Sequence, residues 1–263
     1  MNSFALSAKP SRSTYAKHFE QDSTILASDS RYLVRLARGS KEITEVLRLR
    51  HEVFNVELQC GKSDSRLEFD AYDFKCRHIV VIDQISSEAV GTYRLNTLET
   101  ARSTAGFYSS NEFTIEDLPG EILQNGIELG RACIAREHRN TKVLFLLWKA
   151  LLAYSKQTGK RYFFGCSSVF TQDRDDGARV HNILKRGGYF HERFRVVPKR
   201  DRIDVTGDPE SDQVKLPALF EMYLRLGARV CGPPMIDHEF RTIDFFVVFD
   251  VTTINEKYRR MFS

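Results

Sequence analysis

The chain has 263 residues, of which 42% are hydrophobic and 28% charged; this is a globular composition and excludes global disorder. Its longest apolar run is the six residues from Val143 to Trp148, whereas a membrane-spanning helix needs about 20. The 39 Lys and Arg residues against 35 Asp and Glu give a net charge of +4. That charge suits an acidic protein or lipid partner, and we expect no nucleic acid partner.

The cysteines and histidines predict neither a disulfide framework nor a metal site. The five cysteines contain no C-x-x-C pair, and the seven histidines show no H-x-x-x-H spacing. A reducing cytoplasm is therefore the expected location. Residues 1–30 are rich in Ser, Thr and charge and lack an apolar stretch, so we predict a flexible leader and no secretory signal.

The remaining elements follow from hydrophobic periodicity and from turn residues. We find no internal repeat and no linker that would split the chain, so we expect a single α/β domain with a mixed sheet. In chain order, the sequence predicts a strand at 31–37, a helix at 41–58, a hairpin of strands at 77–83 and 89–95, a strand at 127–134, a helix at 142–157, a strand at 161–169, a helix at 173–186, a charged loop at 199–213, a helix at 216–226 and a strand at 243–251.

Charged residues interrupt the apolar pattern at two places in the first half of the chain. Arg50 falls between Leu47 and Phe54 on the apolar side of the first helix, where a charge costs free energy unless it is paired. The alternative is a side chain that extends to the rim of the helix. Glu68, Asp70 and Asp73 follow as a carboxylate cluster, which is either part of a site or a solvated acidic loop.

The strand at 127–134 carries two charges, Glu128 and Arg131, on either side of Gly130. Simple alternation would place them on opposite faces of the sheet. A bulge at Gly130 would turn both toward one cleft and free a backbone N–H. The two charges predict either an internal ion pair or a functional site.

The order of these motifs resembles that of the acyl-homoserine-lactone synthases. Longer stretches such as ELGRACI, LLWKALLAY and RTIDFFVVFD are similar to the related ornithine-lipid N-acyltransferases, often labelled hemolysin-like. The resemblance covers residues 31–252, leaves a tail at 253–263, and implies a GNAT-like acyltransferase fold, an α/β fold in which helices flank a mixed central sheet. The motifs are R-x-x-x-F (Arg50, Phe54), E-x-D-x-x-D (Glu68, Asp70, Asp73), R-L (Arg94, Leu95) and E-x-x-R (Glu128, Arg131).

The resemblance implies transfer of a fatty acyl group, 3-hydroxylated in this family, from acyl carrier protein to the amino group of an amino acid such as ornithine. This would be the first step in making an amino-acid-containing lipid. No separate cofactor is expected, because the acyl group travels on the phosphopantetheine of the carrier. Peripheral contact with the inner membrane is left open. The alternatives are a signal synthase of the acyl-homoserine-lactone type and a non-enzymatic membrane-lytic protein.

The resemblance also implies roles for individual residues. Glu128 would be the base that removes a proton from the amine, unless it only pairs with Arg131, and the bulge at Arg131 would supply an N–H to the oxyanion. Carboxylates would bind the cationic acceptor, and the planar fork of Arg94 suits its carboxylate. The acceptor-binding residues implied in this way are Arg50, Glu68, Asp70, Asp73, Arg94 and Asp237.

The donor would bind at the segment REHRNTK, which joins the Glu128 strand to the next helix. In the GNAT fold, N–H groups at this helix N-terminus hold a phosphate. No glycine occurs between Gly130 and Gly159, whereas acetyl-CoA enzymes use a Gly-rich loop here. This difference favours a carrier-protein phosphopantetheine. The donor-binding residues implied are Arg136, Arg139, Asn140, Thr141 and Lys142.

Overall fold

A single mixed sheet forms the centre of the protein, in a computed structural model that describes residues 24–60, 65–205 and 215–262. Within these ranges the strands are β1 (Ile25–Ser28), β2 (Tyr32–Leu36), β3 (Arg77–Asp83), β4 (Glu88–Thr97), β5 (Gly126–Ile134), β6 (Tyr162–Val169), β7 (Arg229–Val230), β8 (Met235–Asp237) and β9 (Thr242–Asp250). Their order is β1-β2-β3-β4-β5-β6-β9-β7, with β8 also paired to β9. The pair β5–β6 is parallel, and the other pairs are antiparallel.

The helices of the described residues flank this sheet, so the predicted α/β architecture is confirmed. The first one changes from α-helical to π-helical geometry over His51–Glu57, within the helix predicted at 41–58. The helices are α1 (Gly39–Arg50), α2 (Leu98–Arg102), α3 (Gly120–Gln124), α4 (Thr141–Thr158), α5 (Arg174–Arg186), α6 (Ala218–Leu226) and α7 (Glu256–Phe262).

Ordered structure extends beyond both predicted ends of the domain. Strand β1 lies inside the segment predicted as a flexible leader, and it buries Leu26 and Ala27 while pairing with β2. Residues 1–23 of that leader, and residues 206–213 of the predicted charged loop, lie outside the described residues. The predicted tail contains helix α7, whose Phe262 stacks on Phe145 of α4 at a ring distance of 4.8 Å. At both ends, burial of apolar side chains stabilises an element that could not be predicted from the polar composition of its segment.

Helix α4 lies across one face of the sheet and carries much of the core. Its side-chain cap is Asn140, whose Oδ1 accepts a hydrogen bond from Val143 N at 3.1 Å, and it ends at Gly159 with φ +67°, a conformation that suits glycine at a helix end. Trp148 is fully buried and makes edge contacts with Tyr223 and Phe249. This packing holds the C-terminal half of the sheet against the N-terminal half.

The central strands β5 and β6 separate part-way along their length. They pair only from Gly126 to Glu128 on one side and from Tyr162 to Phe164 on the other. Beyond that point β5 stays with β4, and β6 stays with β9. A V-shaped cleft therefore opens in the middle of the sheet, immediately after Glu128.

Candidate active site

A β-bulge shapes the wall of this cleft on strand β5. Gly130 pairs with Arg94 and Cys133 with Thr92, so Arg131 and Ala132 share one position opposite β4. Arg131 adopts φ +50°, a left-handed conformation that a non-glycine residue adopts at a cost of about 1–3 kcal/mol. The bulge predicted at Gly130 lies one residue later, at Arg131 and Ala132, and it turns the Arg131 side chain toward the carboxylates of the 68–73 segment.

Six of the predicted residues form a closed ring of alternating charges, which we call the ion-pair ring. Around it, Arg50 binds Glu68, Glu68 binds Arg131 at 3.2 Å, Arg131 binds Asp70 at 2.9 Å, Asp70 binds Arg94 at 2.6 Å, Arg94 binds Asp73 at 3.1 Å, and Asp73 returns to Arg50 through two hydrogen bonds of 2.7 and 3.1 Å. The ring carries three positive and three negative groups, so its charges cancel.

The ring leaves little of these groups for a ligand. Arg50 and Asp73 have no exposed side-chain surface, so an acceptor cannot touch them while the ring is closed. Burial acts to raise the pKa of Asp73, but the adjacent Arg50 and Arg94 outweigh it and hold that pKa well below its usual range. Burial also lowers the pKa of His78 beside Asp73 to about 4. Any influence of Arg50 and Asp73 on an acceptor therefore passes through Arg94, Asp70 and Arg131.

Glu128 lies outside the ring and makes no pair with Arg131. Its Oε1 accepts hydrogen bonds from the backbone N and the Oγ of Ser109, both at 2.7 Å. Its Oε2 accepts from Tyr108 N at 3.0 Å and from Asn96 Nδ2 at 3.2 Å. Four donors thus hold the carboxylate at the point where β5 and β6 separate.

The cleft is a cavity of about 160 Å³. We call the part lined by Asn96, Ser109, Glu128, Arg131, Asp237 and Asp244 its polar end, and the part lined by Leu129, Ala132, Leu219, Phe220 and Tyr223 its apolar end. Arg131 crosses the polar end between two rings, with its guanidinium 4.6 Å from the centre of Tyr108 and 4.3 Å from that of Phe240, which are cation–π distances. Of the predicted residues, Phe54, Arg94, Glu128, Arg131 and Asp237 line the cleft, whereas Arg50, Glu68, Asp70 and Asp73 do not.

Two acidic residues that the sequence reasoning did not select lie beside the cleft. Asp244 lines it on β9, and Glu112 lies behind Cys166, whose thiol donates to Glu112 Oε2 at 3.0 Å. Burial, with the neighbouring carboxylates, raises the pKa of Glu112 to about 8 and that of Asp244 to about 6. Asp244 had a sequence signal, since it is the single charge within the apolar run IDFFVVF.

The predicted donor segment lies where β5 passes into α4, and its five residues are exposed. Two of them have structural partners. Arg139 forms a two-point ion pair with Glu57, and the side chain of Asn140 caps α4. Arg136 and Lys142 make no ion pair within the described residues, so they are the cations of this segment that are free to meet a donor.

The comparisons with known proteins agree with this geometry. The family model described as an acetyltransferase (GNAT) domain matches residues 49–149. The L-ornithine N(alpha)-acyltransferase of Rhizobium meliloti (strain 1021) is 30% identical over 257 residues, which cover 90% of this chain and 86% of that protein. The L-ornithine N(alpha)-acyltransferase of Agrobacterium fabrum (strain C58 / ATCC 33970) is 31% identical over 250 residues, which cover 85% and 82%.

This chain belongs to the L-ornithine N(alpha)-acyltransferase family. It is therefore an acyltransferase, as the resemblance in the sequence implied. The acyl-homoserine-lactone synthase LasI shares its fold, with a TM-score of 0.51 and 15% identity over 89% of this chain and 95% of that chain. In the described part of the chain, no helix is both long and apolar enough to cross a membrane.

Proposed function

We propose that this enzyme transfers a 3-hydroxylated fatty acyl group from acyl carrier protein to the α-amino group of ornithine. The observation that carries the proposal is the cleft between β5 and β6, because its polar end and its apolar end suit the two parts of this reaction. The relatives named above are L-ornithine N(alpha)-acyltransferases, which supports ornithine as the acceptor and its α-nitrogen as the nucleophile.

The apolar end of the cleft fits a fatty acyl chain. Burial of each methylene group there contributes about 0.8 kcal/mol, which favours long chains over an acetyl group. A separate small void lies beside Gly165, between Leu129 and the aromatic rings of β6 and β9. The side chains that line the apolar end include Leu129, Ala132, Leu219, Phe220 and Tyr223.

The polar end supplies a route for the proton. The α-amine attacks the thioester carbonyl carbon and must lose a proton, while the carbon–sulfur bond breaks and the departing thiolate takes up the proton that the amine has given to the enzyme. Because each oxygen of Glu128 already accepts two hydrogen bonds, we assign the first contact with the amine to Ser109 Oγ. Ser109 takes the amine proton and passes its own to Glu128 across their 2.7 Å hydrogen bond.

The donor segment supports a phosphate-bearing donor. Arg136 and Lys142 are exposed at the N-terminus of α4, where the helix dipole disfavours cations that have no anionic partner. A phosphopantetheine phosphate would provide that partner and would also meet the N–H groups of the first turn. The Arg-rich, Gly-poor segment further favours docking of an acidic carrier protein over free CoA.

The test is an assay of purified enzyme with 3-hydroxyacyl carrier protein and ornithine, in which mass spectrometry detects N-acylornithine. We expect this product, and little turnover of acetyl-CoA. Equal turnover of acetyl-CoA would contradict the donor assignment, and a lactone product would favour the signal synthase.

The donor site is tested by charge removal. Arg136→Gln combined with Lys142→Gln should raise the KM for the acyl carrier protein about tenfold and weaken its dependence on salt. Lys41→Gln removes an exposed cation in the first turn of α1. It serves as a control and should change neither the KM nor its salt dependence. An unchanged KM in the double variant would place the carrier elsewhere.

A further inference from the structure

Two carboxylates at the polar end of the cleft, and a third behind Cys166, lack the cationic partner that every carboxylate in the ion-pair ring has. Glu112, Asp237 and Asp244 are 2%, 6% and 4% exposed. None of them forms an ion pair with another residue of the described chain. A buried carboxylate without a cationic partner is costly in its charged form, and a bound cation would stabilise that form.

Hydrogen-bond acceptors in this part of the cleft are also left without donors. Asp237 Oδ1 accepts from the backbone N of Glu239 and of Phe240, at 2.7 and 3.0 Å, but Asp237 Oδ2 has no hydrogen-bond partner among the described residues. Asn96 lines the same cleft, and its Oδ1 is buried without a partner there. Its orientation is settled by Nδ2, which donates to Gly106 O and to Glu128. The buried Asn96 oxygen calls for a donor that a ligand would bring, and Asp237 Oδ2 is available to accept from the same ligand.

The positions of these groups match the two ends of a short diamino compound. The Cys166 sulfur lies 3.8 Å from Ser109 Oγ and 3.0 Å from Glu112 Oε2, so one side chain separates the proposed proton acceptor from the carboxylates. Asp244 lies on the cleft wall beside Cys166, and its Oδ1 accepts from Thr242 Oγ1 at 2.8 Å. An amine at Ser109 and a second ammonium at Asp244 would therefore occupy adjacent parts of one cleft.

We propose that Asp237 and Asp244, with Glu112 behind them, bind the side-chain ammonium of the acceptor and thereby select a diamino acid. The inference rests on the proposed function, because acylation at the α-nitrogen leaves the second amine of ornithine charged. That ammonium donates to the two carboxylates on the cleft wall. It also opposes what raises the pKa of Asp244 and Glu112, which is burial first and the neighbouring carboxylates second.

The test compares ornithine with norvaline, which has the same carbon chain and no second amine. The measured quantity is the ratio of kcat/KM for ornithine to kcat/KM for norvaline, with the same acyl carrier protein donor. We expect wild type to favour ornithine, and Asp244→Asn or Asp237→Asn to reduce the ratio about 10–150-fold, the effect of losing a charge-assisted hydrogen bond. Asparagine keeps the Oδ1 acceptor that Asp237 and Asp244 each use. Glu88→Gln, at the exposed first residue of β4, is the matched control and should leave the ratio unchanged.

A binding measurement separates this inference from the proposed function. Calorimetry without an acyl donor should show ornithine binding that weakens at least tenfold in Asp244→Asn. If wild type binds ornithine in this way but acylates neither acceptor, the proposed function fails and the ammonium site stands. If Asp244→Asn lowers both kcat/KM values equally, the site is refuted while the function stands.

A metal ion is the competing occupant of the same place. The ligand atoms of Glu112, Cys166 and Asp244 all lie within 4.8 Å of one another, so a divalent ion could also satisfy these charges. Metal analysis of the purified enzyme would then find one equivalent of metal in wild type and none in Asp244→Asn. That result would overturn the ammonium assignment, and we expect no such metal.

Discussion

Glu128 is the single residue on which the proposed chemistry depends most. In Glu128→Gln, one oxygen that accepts two hydrogen bonds becomes an amide NH₂ that faces two donors, and the base is lost. We expect kcat to fall by about 10²–10⁴, together with a lower Tm. Acylation rates and thermal melts of the same preparation measure both effects. A variant with near wild-type kcat and a strongly reduced Tm would show that the carboxylate is structural.

The proposed proton relay makes a separate prediction for Ser109. Ser109→Ala removes the hydroxyl but keeps the backbone N–H bond to Glu128, so the carboxylate stays in place. We expect kcat to fall about 10–100-fold with a small change in the KM for ornithine, because general acid–base steps act in the transition state. Ser110→Ala, one residue further along, is the matched control. If Ser109→Ala keeps full activity, the amine reaches Glu128 by another path.

The ion-pair ring predicts a large cost for removing one member. Arg50→Met leaves Glu68 and Asp73 without their cation in a buried site, which should lower the free energy of unfolding by about 3–5 kcal/mol. Arg225→Met breaks an exposed pair with Glu221 on α6 and should cost less than about 1 kcal/mol. Urea unfolding measures both values. A small loss for Arg50→Met would mean that the ring contributes little to stability.

The sequence could identify the members of this ring but not what they contact. Arg50 was recognised because a charge on an apolar helix face needs a partner, and the motif order indicated the other five. The pairing depends on the bulge at Arg131 and on how the 68–73 segment folds back, neither of which follows from spacing. Glu112 was missed because nothing in its local sequence distinguishes a buried carboxylate from a surface one.

At the scale of elements, the point where β5 and β6 separate depends on Gly165. Its φ is +151°, and a Cβ there would lie 2.5 Å from the Leu129 carbonyl oxygen. Gly165→Ala should therefore push the two strands apart and lower the Tm by several degrees. Gly120→Ala is the control, since its Cβ would meet only Gln124 at 3.7 Å. A Gly165→Ala protein that melts like wild type would show that the strands adjust without strain.

The long elements were predictable, and the short ones were not. Strands β3 to β6 and helix α4 have clear periodicity and clear stop signals, so their positions match the structure. Strands β7 and β8 have two and three residues, too few for an alternating pattern. They form because both pair with the long strand β9. Strand β1 could not be predicted because its segment is polar, and it forms because it pairs with β2.

For the whole molecule, buried charges make stability depend on pH in two opposite senses. The pKa of Asp73 is lowered by Arg50 and Arg94 despite its burial, so its contribution is present above the unfolded value and is lost as the pH falls below it. The pKa values of Glu112 and Asp244 are raised by burial to about 8 and about 6. Their contribution is present in acid and is lost as the pH rises through those values.

His78 also changes the stability of the protein, over the pH range in which Asp244 acts. Burial lowers the pKa of His78 to about 4, so the neutral imidazole favours the folded state increasingly as the pH rises from there to its unfolded value. This gain opposes the loss from Asp244 over much the same range. Of these four groups only Glu112 acts above that range, and it should therefore control the stability of the enzyme between neutrality and the pH at which the buried cysteines begin to ionise.

Replacing Glu112 should remove this alkaline loss. The amide side chain in Glu112→Gln keeps an oxygen that accepts from the Cys166 thiol but carries no charge to be desolvated. We expect the Tm of wild type to fall between pH 6 and pH 9, and the Tm of Glu112→Gln to stay nearly flat and to exceed wild type by about 5 °C at pH 9. Glu88→Gln, which removes an exposed carboxylate, should follow the wild-type curve. A Glu112→Gln curve that falls as steeply as that of wild type would mean that Glu112 is already ionised at neutral pH, in which case a cation must lie beside it in the folded protein.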